Sequence, residues 1–490
     1  MSNQVKYYKA KLLVVWDEGQ HKILENGYLG VKDGKIESYG ERVPEGAEVE
    51  DLGNAAITPG FVNMHFHPSE VLNIKSAVED IINPYFYSST MMDLAYPDMG
   101  DEVAALECKL ALAESLKSGC TTNVIAGSAN SRIEAEVAGE MGIRAYLTAG
   151  IRAGDPKEKV NIWNTPDGHS VTFNFNEEEG FKRIKEAEEF VNDYEGSFGG
   201  KIHTLLGPTQ TMTCTPAMLR ATRDLADKKG VGITVHVGED IIEFEACIRE
   251  HGKSPVQLMA DTGLVGPDVI IAHCVYTHGH KHVLFPEPDE ERRDLKLLGD
   301  SKSNVAHCPL PFARVGEILQ SIYKYQQAGI NLGIGTDSFP CDLIQEMRLA
   351  ALLGKIAEEN TYATRAGDIF NMATINGAKA LGRDDIGKLA VGAKADFTVF
   401  NLGTLEMLPV RDLIKNIVYS TTRHSVDRVY IEGECMVKDG KVVGMDEQAM
   451  INEFQEKFEE GWKKVGEEIV IDKKMPDQFP MTFPKYNSKK

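Results

Sequence analysis

Two histidines one residue apart carry the clearest chemical signal in this chain. His65 and His67 end the segment Pro59-Gly-Phe-Val-Asn-Met-His-Phe-His. Alternate residues of a β-strand point to the same side, so both imidazoles can reach one metal ion. Neutral imidazole binds Zn²⁺, Fe²⁺ and Ni²⁺ well, and a catalytic site adds further protein ligands while leaving one position for water. The pair therefore predicts half of a catalytic metal site.

Three more ligand-type residues stand at the ends of short apolar runs. His236 follows Val-Gly-Ile-Thr-Val, His273 follows Val-Ile-Ile-Ala, and Asp337 follows Asn-Leu-Gly-Ile-Gly-Thr. One such histidine alone usually has a structural hydrogen-bonding role, and Asp after Gly-Thr is often a turn or helix cap. The joint pattern instead favours a shared ion. We predict one divalent metal, Zn²⁺ with Fe²⁺ as the alternative, held by His65, His67, His236 and Asp337.

Glu239, three residues after His236, is a candidate proton carrier. A carboxylate near a metal ligand but not bound to the metal can move a proton from the metal's water to a leaving nitrogen, as Glu does in zinc deaminases. The alternative is a solvated acidic loop formed with Asp240. His273 either orients the attacking water and substrate or is a fifth ligand. Glu239, His273 and Asp337 are thus the predicted catalytic residues.

Strand-like and helix-like segments alternate from Gly60 to about Leu381 and must position these residues. The predicted strands are Phe61–His65, Thr121–Ile125, Arg144–Ala149, Lys201–Leu206, Gly232–Val237, Val269–His273, Asn304–His307 and Asn331–Gly335. The predicted helices include Asp101–Ser118, Glu177–Val191, Thr215–Lys229, Phe312–Ala328 and Cys341–Glu358. Eight such units predict an α/β fold of the (β/α)8 TIM-barrel type, whose strand ends converge on one pocket; a doubly wound open sheet is the alternative.

Both ends of the chain have short strands and turns, such as the hairpin signal Asp33-Gly34. We predict one small β-sandwich domain built from residues 1–57 and 385–445, around a catalytic barrel at 58–384. Residues 446–490 are expected to form a C-terminal helix and tail. Long segments at 68–100, 152–180 and 275–290 follow predicted strands and are candidates for pocket walls.

Composition excludes several classes of function. The net charge is −21, which argues against nucleic-acid binding and against an anionic membrane surface. The start lacks an apolar signal core, and no run of about 18 apolar residues occurs, so a cytoplasmic protein is expected. The eight cysteines form no Cys-x-x-Cys pair. Cys274 and Cys308, each next to a histidine, are minor candidates for thiolate ligands.

The motifs together resemble those of the amidohydrolase superfamily, in its mononuclear-metal branch of cytosine, guanine and adenosylhomocysteine deaminases and triazine hydrolases. The matching segments are Pro59 to His67, His236-Val-Gly-Glu239, Ile271-Ala-His-Cys, Gly335-Thr-Asp-Ser and Gly387-Lys-Leu-Ala-Val-Gly-Ala-Lys-Ala-Asp-Phe-Thr-Val-Phe. The resemblance covers about residues 5 to 445. It implies a barrel with a sandwich, the same four metal ligands, Glu239 as proton shuttle and His273 as the orienting histidine.

The fourth strand bears on metal number. The binuclear branch of the superfamily uses a carboxylated lysine at the end of this strand. Here the strand ends Leu206-Gly-Pro-Thr-Gln, and its only lysine, Lys201, lies at the opposite end. The resemblance therefore implies one metal ion.

Two segments differ from the adenosylhomocysteine and thioadenosine deaminases. Gly207-Pro-Thr-Gln-Thr-Met replaces Gly-Pro-His-Ala-Pro-Tyr, and His307-Cys-Pro-Leu-Pro-Phe-Ala-Arg replaces His-Asn-Pro-x-Ser-Asn. These differences argue against a nucleoside of that kind and favour a triazine-hydrolase-like substrate.

Substrate contacts are predicted for Gln210, His307 and Trp163. Gln210 could bond a ring nitrogen or carbonyl, and His307 could line the pocket. Trp163 lies in an aromatic loop with Phe173 and Phe175, which could stack on a flat ring or only anchor the loop. The tract His278-Gly-His-Lys-His282 is expected to be a solvated histidine cluster rather than a second metal site.

The predicted function is that of a metal-dependent aminohydrolase, which uses a metal-activated water to displace an amino group from a small nitrogen heterocycle. Hydrolytic dechlorination and cyclic-amide hydrolysis are the alternative reactions. The alternative to an enzyme is a metal-stabilised scaffold without catalysis. The expected partners are the heterocycle, water and further copies of the chain in a homodimer or larger homo-oligomer.

Overall fold

The computed structural model describes residues 4–69, 72, 75, 99–156, 173–286, 288–465, 469–470, 473–474 and 481–486. Its strands are β1 (Lys6–Asp17), β2 (Gln20–Lys32), β3 (Lys35–Gly40), β4 (Val49–Asp51), β5 (Ala55–Pro59), β6 (Phe61–Phe66), β7 (Cys120–Ser128), β8 (Arg144–Ile151), β9 (Gly154–Pro156), β10 (Phe173–Phe175), β11 (Ile202–Thr204), β12 (Gly207–Pro208), β13 (Ile233–Val237), β14 (Val269–His273), β15 (Asn304–His307), β16 (Asn331–Ile334), β17 (Phe397–Asn401), β18 (Val426–Ile431), β19 (Glu434–Lys438), β20 (Lys441–Val442), β21 (Ile469–Val470) and β22 (Lys473–Lys474). Its α-helices are Asp101–Lys117, Ser131–Glu140, Glu177–Tyr194, Ser197–Gly200, Pro216–Lys229, Ile241–His251, Pro255–Thr262, Asp294–Asp300, Pro309–Arg314, Ile322–Gln327, Leu343–Ala357, Ala366–Met372, Ile375–Ala380, Leu413–Tyr419 and Glu447–Val465.

Parallel strands alternating with helices form the central part of the chain. One sheet has the order β11-β8-β7-β6, with β12 also pairing with β8, and a second has the order β13-β14-β15-β16. Isolated parallel bridges link the two sheets on both sides, at Leu206 with Ile233 and Gln210 with His236 on one side and at Phe66 with Asp337 on the other. The carboxyl ends of these strands therefore face one region, as the sequence predicted.

The two ends of the chain share a nine-stranded sheet of mixed direction. Its order is β20-β19-β18-β17-β5-β1-β2-β3, with β4 paired to β1, and antiparallel pairing of β17 with β5 joins the C-terminal strands to the N-terminal ones. The β2–β3 hairpin turns at Asp33 and Gly34, which both have positive φ, as a tight turn of this kind requires. Strands from both termini thus share one sheet, and the composite β-sandwich domain stays a prediction.

A buried ion-pair network fastens this sheet to the parallel strands. Arg144, at the start of β8, is completely buried and contacts both Asp396 and Glu432. Lys394 lies 3.0 Å from the same Glu432 carboxylate. Because a buried charge is tolerated only when paired, these contacts fix the junction closely.

Local signals explain where several helices begin and end. Thr215 caps Pro216–Lys229 by accepting the Met218 N–H, and Gly230 ends that helix in the left-handed conformation. Ser254 and Gln257 form a reciprocal capping box on Pro255–Thr262.

One predicted helix and one predicted strand are wrong in extent. The expected helix Phe312–Ala328 is two short helices, Pro309–Arg314 and Ile322–Gln327, separated by a segment in which Gly316 has positive φ. The fourth strand is divided into β11 and β12. None of the described helices has the length and apolar character needed to cross a bilayer.

Candidate metal centre and catalytic site

Five predicted residues from four strand ends meet in one cluster. His65 Nε2 lies 3.2 Å and His67 Nε2 3.6 Å from Asp337 Oδ1, and the Nε2 atoms of His67 and His236 are 3.2 Å apart. The His273 ring centroid lies 4.8 Å from that of His65. Two overlapping groups have all ligand atoms within 4.8 Å of one another: His65, His236 and His273, and His65, His67 and Asp337.

These separations fit a metal centre. Ligand atoms that each lie about 2.0–2.1 Å from Zn²⁺ at tetrahedral angles are about 3.3 Å apart. Both ring nitrogens of His273 and Nδ1 of His65 are buried and, among the described residues, have no hydrogen-bond partner. Buried polar atoms without partners are costly, so a bound cation would satisfy one of the two His273 ring nitrogens that the protein leaves unpaired. Because His273 belongs to one of the two groups with metal-ligand spacing, the geometry is compatible with a role as a fifth ligand.

Burial favours the neutral, ligand form of three imidazoles, those of His67, His236 and His273. It lowers the pKa of His67 to about 4 and that of His273 to about 3, and it moves the pKa of His236 well below its usual value. Neighbouring imidazoles add to the shift of His67 and His236. Asp337 differs: burial opposes ionisation, but the contact with His65 and the surrounding imidazoles hold its pKa well below the usual range.

Backbone contacts between β6 and the end of β16 place three of these residues. The Asp337 N–H donates to the His65 carbonyl at 2.8 Å, and the His67 N–H donates to the Asp337 carbonyl at 2.9 Å. Asp337 and His273 both have positive φ, at 56° and 71°. Such left-handed backbone at a non-glycine residue costs energy and is concentrated at functional sites.

His236 is oriented by its other ring nitrogen. Its Nδ1 lies 2.7 Å from the Thr209 carbonyl oxygen, which can only accept, so Nδ1 carries the proton. The Nε2 lone pair is then free to bind a cation. A backbone carbonyl that fixes the tautomer in this way is usual for metal-binding histidines.

Glu239 is buried beside this cluster and contacts Gln210. Gln210 Nε2 donates to Glu239 Oε2 at 3.0 Å. Burial, with the charges of Asp240 and Asp337, raises the pKa of Glu239 well above the usual value. A raised pKa makes a carboxylate a stronger base, which is suited to accepting a proton and passing it on. Glu239 and Asp240 are both buried, which contradicts the alternative of a solvated acidic loop.

The predicted substrate contacts have three outcomes. His307 is buried at the end of β15, and its imidazole is close enough to lower the pKa of His273 further. Gln210 is buried and holds the Glu239 carboxyl. Trp163 lies outside the described residues, as does most of its loop, so the stacking prediction stays a prediction.

The tract His278 to His282 is not a solvated cluster. His278 Nδ1 lies 3.0 Å from Asp294 Oδ2, and His280 is buried with its ring 4.7 Å from that of Tyr276. His282 Nε2 lies 3.4 Å from Glu317 Oε1. The His280 and His282 rings also contact each other, with centroids 5.4 Å apart, and these contacts anchor the segment after β14.

The thiolate alternative is not supported. Cys274 and Cys308 are buried, and burial raises the pKa of both thiols well above the usual value. Within the part of the chain described here, neither cysteine belongs to a group with metal-ligand spacing.

Two features of the site were missed from the sequence. Phe312 packs against His273, with ring centroids 5.0 Å apart. Asn63 and Thr336 exchange two hydrogen bonds, at 2.8 and 3.0 Å, directly behind His65 and Asp337. Asn63 lies two residues before His65, and Thr336 lies one residue before Asp337. This proximity to two predicted ligands is a signal in the sequence that could have been noticed.

Comparison with known proteins agrees with this geometry. The family model described as "Amidohydrolase family" matches residues 56–443. The chain belongs to the amidohydrolase family. A curated relative, 5'-deoxyadenosine deaminase of Methanosarcina barkeri, is 30% identical over 457 residues, which are 91% of this chain and 95% of the relative.

Two solved structures share the fold. An adenosine deaminase from Xanthomonas campestris with bound zinc has a TM-score of 0.77 at 24% identity and covers 94% of this chain and 98% of its own. Atrazine chlorohydrolase from Arthrobacter aurescens, complexed with zinc, has a TM-score of 0.75 at 21% identity, with coverage of 92% and 100%. The preference for a triazine-like substrate over a nucleoside therefore receives no support from sequence identity.

Proposed function

We propose that this amidohydrolase is a metal-dependent deaminase that hydrolyses the exocyclic amino group of a nitrogen heterocycle. One observation carries the proposal: a buried Glu239, with a raised pKa, lies beside a cluster of four imidazoles and one carboxylate. His65, His67, His236 and Asp337 would hold the cation, which we propose to be one Zn²⁺ ion. When bound, such a cation lowers the pKa of a water molecule to near 7 and so supplies hydroxide.

The side chains around the cation have separate roles in the reaction. Glu239 accepts one proton of the attacking water and delivers it to the ring nitrogen. It then accepts the second proton, from the hydroxyl group added to the ring carbon, and delivers it to the departing amine, which leaves as ammonia as the carbonyl forms. His273, neutral because its pKa is low, orients the attacking oxygen or the substrate through a ring nitrogen. Gln210 holds the Glu239 carboxyl in place, and His307 with Phe312 borders the same space.

The substrate we favour is a purine nucleoside of the adenosine type. The curated relative with 30% identity is named 5'-deoxyadenosine deaminase, which supports this class more than the chlorohydrolase at 21% does. Hydrolytic dechlorination is the second candidate. It is distinguishable because chloride leaves without a proton, so turnover would depend less on Glu239.

The proposal also covers the domain organisation and assembly of the chain. The three bridges between the parallel sheets support one closed (β/α)8 barrel at 58–384, and the sheet shared by both termini supports a composite sandwich from 1–57 and 385–445. Residues 446–490 would be an appended helix and tail. We also propose a cytoplasmic homodimer or larger homo-oligomer.

The test combines product analysis with one substitution. Ammonia and chloride release are measured across adenosine-type nucleosides, aminopyrimidines, pterins, aminotriazines and chlorotriazines, and metal content is measured by elemental analysis. We expect ammonia from a nucleoside and close to one Zn²⁺ per chain. Glu239→Gln should retain the metal and lower turnover by about 10²–10⁴-fold, the usual value of a general acid–base group.

The exposed Glu250, on the helix after Glu239, gives a matched control, because Glu250→Gln removes the same charge far from the cluster. Unchanged turnover in Glu239→Gln would remove Glu239 from the mechanism. Chloride as the main product would replace deamination by dechlorination.

A further inference from the structure

Glu243 is a completely buried carboxylate outside the predicted catalytic set. It lies in the first turn of the helix Ile241–His251, and its two oxygens have different partners. Oε2 accepts the backbone N–H of Glu239 at 3.2 Å, and Oε1 accepts the hydroxyl of Thr211. A carboxylate buried at this depth needs such donors, so both contacts hold it firmly in place.

These two partners flank the hydrogen bond between Gln210 and Glu239. Thr211 follows Gln210 directly, and the bond from Gln210 Nε2 to Glu239 Oε2 is 3.0 Å long. Gln210 comes shortly after β12, and Glu239 comes shortly after β13. Glu243 thus contacts both segments that carry the Gln210–Glu239 pair.

The position of Glu243 is itself well defined. Its backbone N–H donates to Asp240 Oδ1 at 2.8 Å, which is the cap of this helix. Its neighbours Ile242 and Phe244 are buried, so the helix cannot rotate without exposing apolar surface. The carboxylate is therefore a fixed reference point for the two segments.

We propose that Glu243 is a positioning residue for deamination, which keeps Gln210 and Glu239 within hydrogen-bonding distance and so fixes the orientation of the Glu239 carboxyl. The inference rests on the proposed function, in which Glu239 transfers protons. A proton carrier that is displaced by about 1 Å can cost about 10²-fold in rate. Substrate binding does not need that alignment, so the effect should fall on kcat rather than KM.

Glu243→Gln is the first variant to test, because it keeps the size of the side chain but replaces one acceptor oxygen with an amide donor. It cannot accept both hydrogen bonds. We expect kcat to fall by about 10- to 100-fold, with KM changed by less than about threefold and with metal content unchanged. Glu250→Gln, on the same helix and exposed, is the control and should keep the original kcat.

A double-mutant cycle separates positioning from a general structural role. In a Glu239→Gln background, adding Glu243→Gln should lower the residual kcat by less than about twofold, because no proton carrier is left to position. If both backgrounds lose the same factor, the inference is wrong. If Glu243→Gln does not fold, Thr211→Val removes only the hydroxyl donor and takes its place in the cycle, with the same pattern expected.

A crystallographic measurement tests the inference without any substrate. In Glu243→Gln we expect the separation of Gln210 Nε2 and Glu239 Oε2 to exceed 3.5 Å, while His65, His67 and Asp337 keep their positions. An unchanged separation would overturn the inference. A wild-type enzyme that releases no ammonia would overturn the proposed function instead, and the two failures are therefore distinguishable.

Discussion

At the scale of single residues, burial sets the protonation state of the site in two opposite ways. It lowers the pKa of His67 to about 4 and of His273 to about 3, whereas it raises the pKa of Glu239 well above the usual value. Both shifts have the same cause, because a charged group loses hydration when it is buried. Burial therefore favours the neutral imidazole of His67 and His273 and the protonated carboxyl of Glu239.

Glu134 allows this effect to be measured at a carboxyl group that is not a predicted metal ligand. Burial raises the pKa of Glu134 to about 7, and the hydroxyl of Ser69 lies 2.6 Å from one of its oxygens. The folded pKa exceeds the unfolded one, so the native protein binds more protons between pH 4.5 and 7. The contribution of Glu134 to stability is therefore lost as pH rises through that window.

Glu134→Gln should remove this dependence. The free energy of unfolding of the variant minus that of the wild type should be higher at pH 8 than at pH 5, by about 1–3 kcal/mol. Urea denaturation at both pH values measures the difference, and Glu140→Gln at the exposed end of the same helix is the control. If the difference in free energy of unfolding between variant and wild type is the same at the two pH values, Glu134 does not titrate between pH 5 and pH 8.

The ligand residues could be predicted because each one ends a strand in the sequence. The contact of Gln210 with Glu239 could not be predicted, because it joins two loop segments. The distance between these segments depends on how β12 and β13 are placed. Glu243 was missed for a similar reason: in the sequence it is one of several acidic residues after Glu239. Only its burial and its two donors distinguish it.

At the scale of elements, the approach of β16 to β6 is the tightest requirement of the site. A Cβ atom on Gly335 would lie 2.8 Å from both N and Cβ of His65 and 2.9 Å from Cys308 Sγ. Its φ is not in the left-handed region, so the restriction is space rather than conformation. Glycine here lets Asp337 reach the histidine strand.

Gly335→Ala should therefore push the two strands apart. We expect a loss of about 1–3 kcal/mol in free energy of unfolding together with a fall in metal content. Gly367→Ala is the control, because a Cβ there meets nothing within 4 Å and the position is helical. Full metal content in Gly335→Ala would show that the strand contact can relax without harm to the ligands.

Element positions were predictable where apolar runs were short and bounded. Val269–His273 and Asn304–His307 match the observed strands residue for residue. The predicted helix Phe312–Ala328 failed because its amphipathic pattern continues through Gly316, where the backbone has positive φ and the helix is interrupted. Periodicity alone does not show such a break.

At the scale of the whole molecule, Arg144 connects the parallel strands to the sheet made by the two termini. Arg144→Met would leave the buried Asp396 carboxylate without its cation. We expect a loss of about 3–5 kcal/mol in free energy of unfolding, as when one partner of a buried ion pair is removed. Urea denaturation measures it, and the metal content of the folded variant should be unchanged.

The exposed pair Arg132–Asp193 is the control for Arg144, and Arg132→Met should cost less than about 1 kcal/mol. The double variant Arg144→Met with Asp396→Asn should recover part of the stability, because the unpaired charge is then gone. Equal destabilisation in the single and double variants would contradict the explanation by an uncompensated charge.

The bridge between Phe66 and Asp337 also has a consequence for the order of assembly. His65 and His67 belong to the first parallel strand along the chain and Asp337 follows the last, so the complete ligand set does not exist until the chain has been made and folded through β16. During synthesis a ribosome would release the histidine pair long before the aspartate. Metal capture at full affinity is therefore a late event, after the polypeptide has brought its most distant strands together.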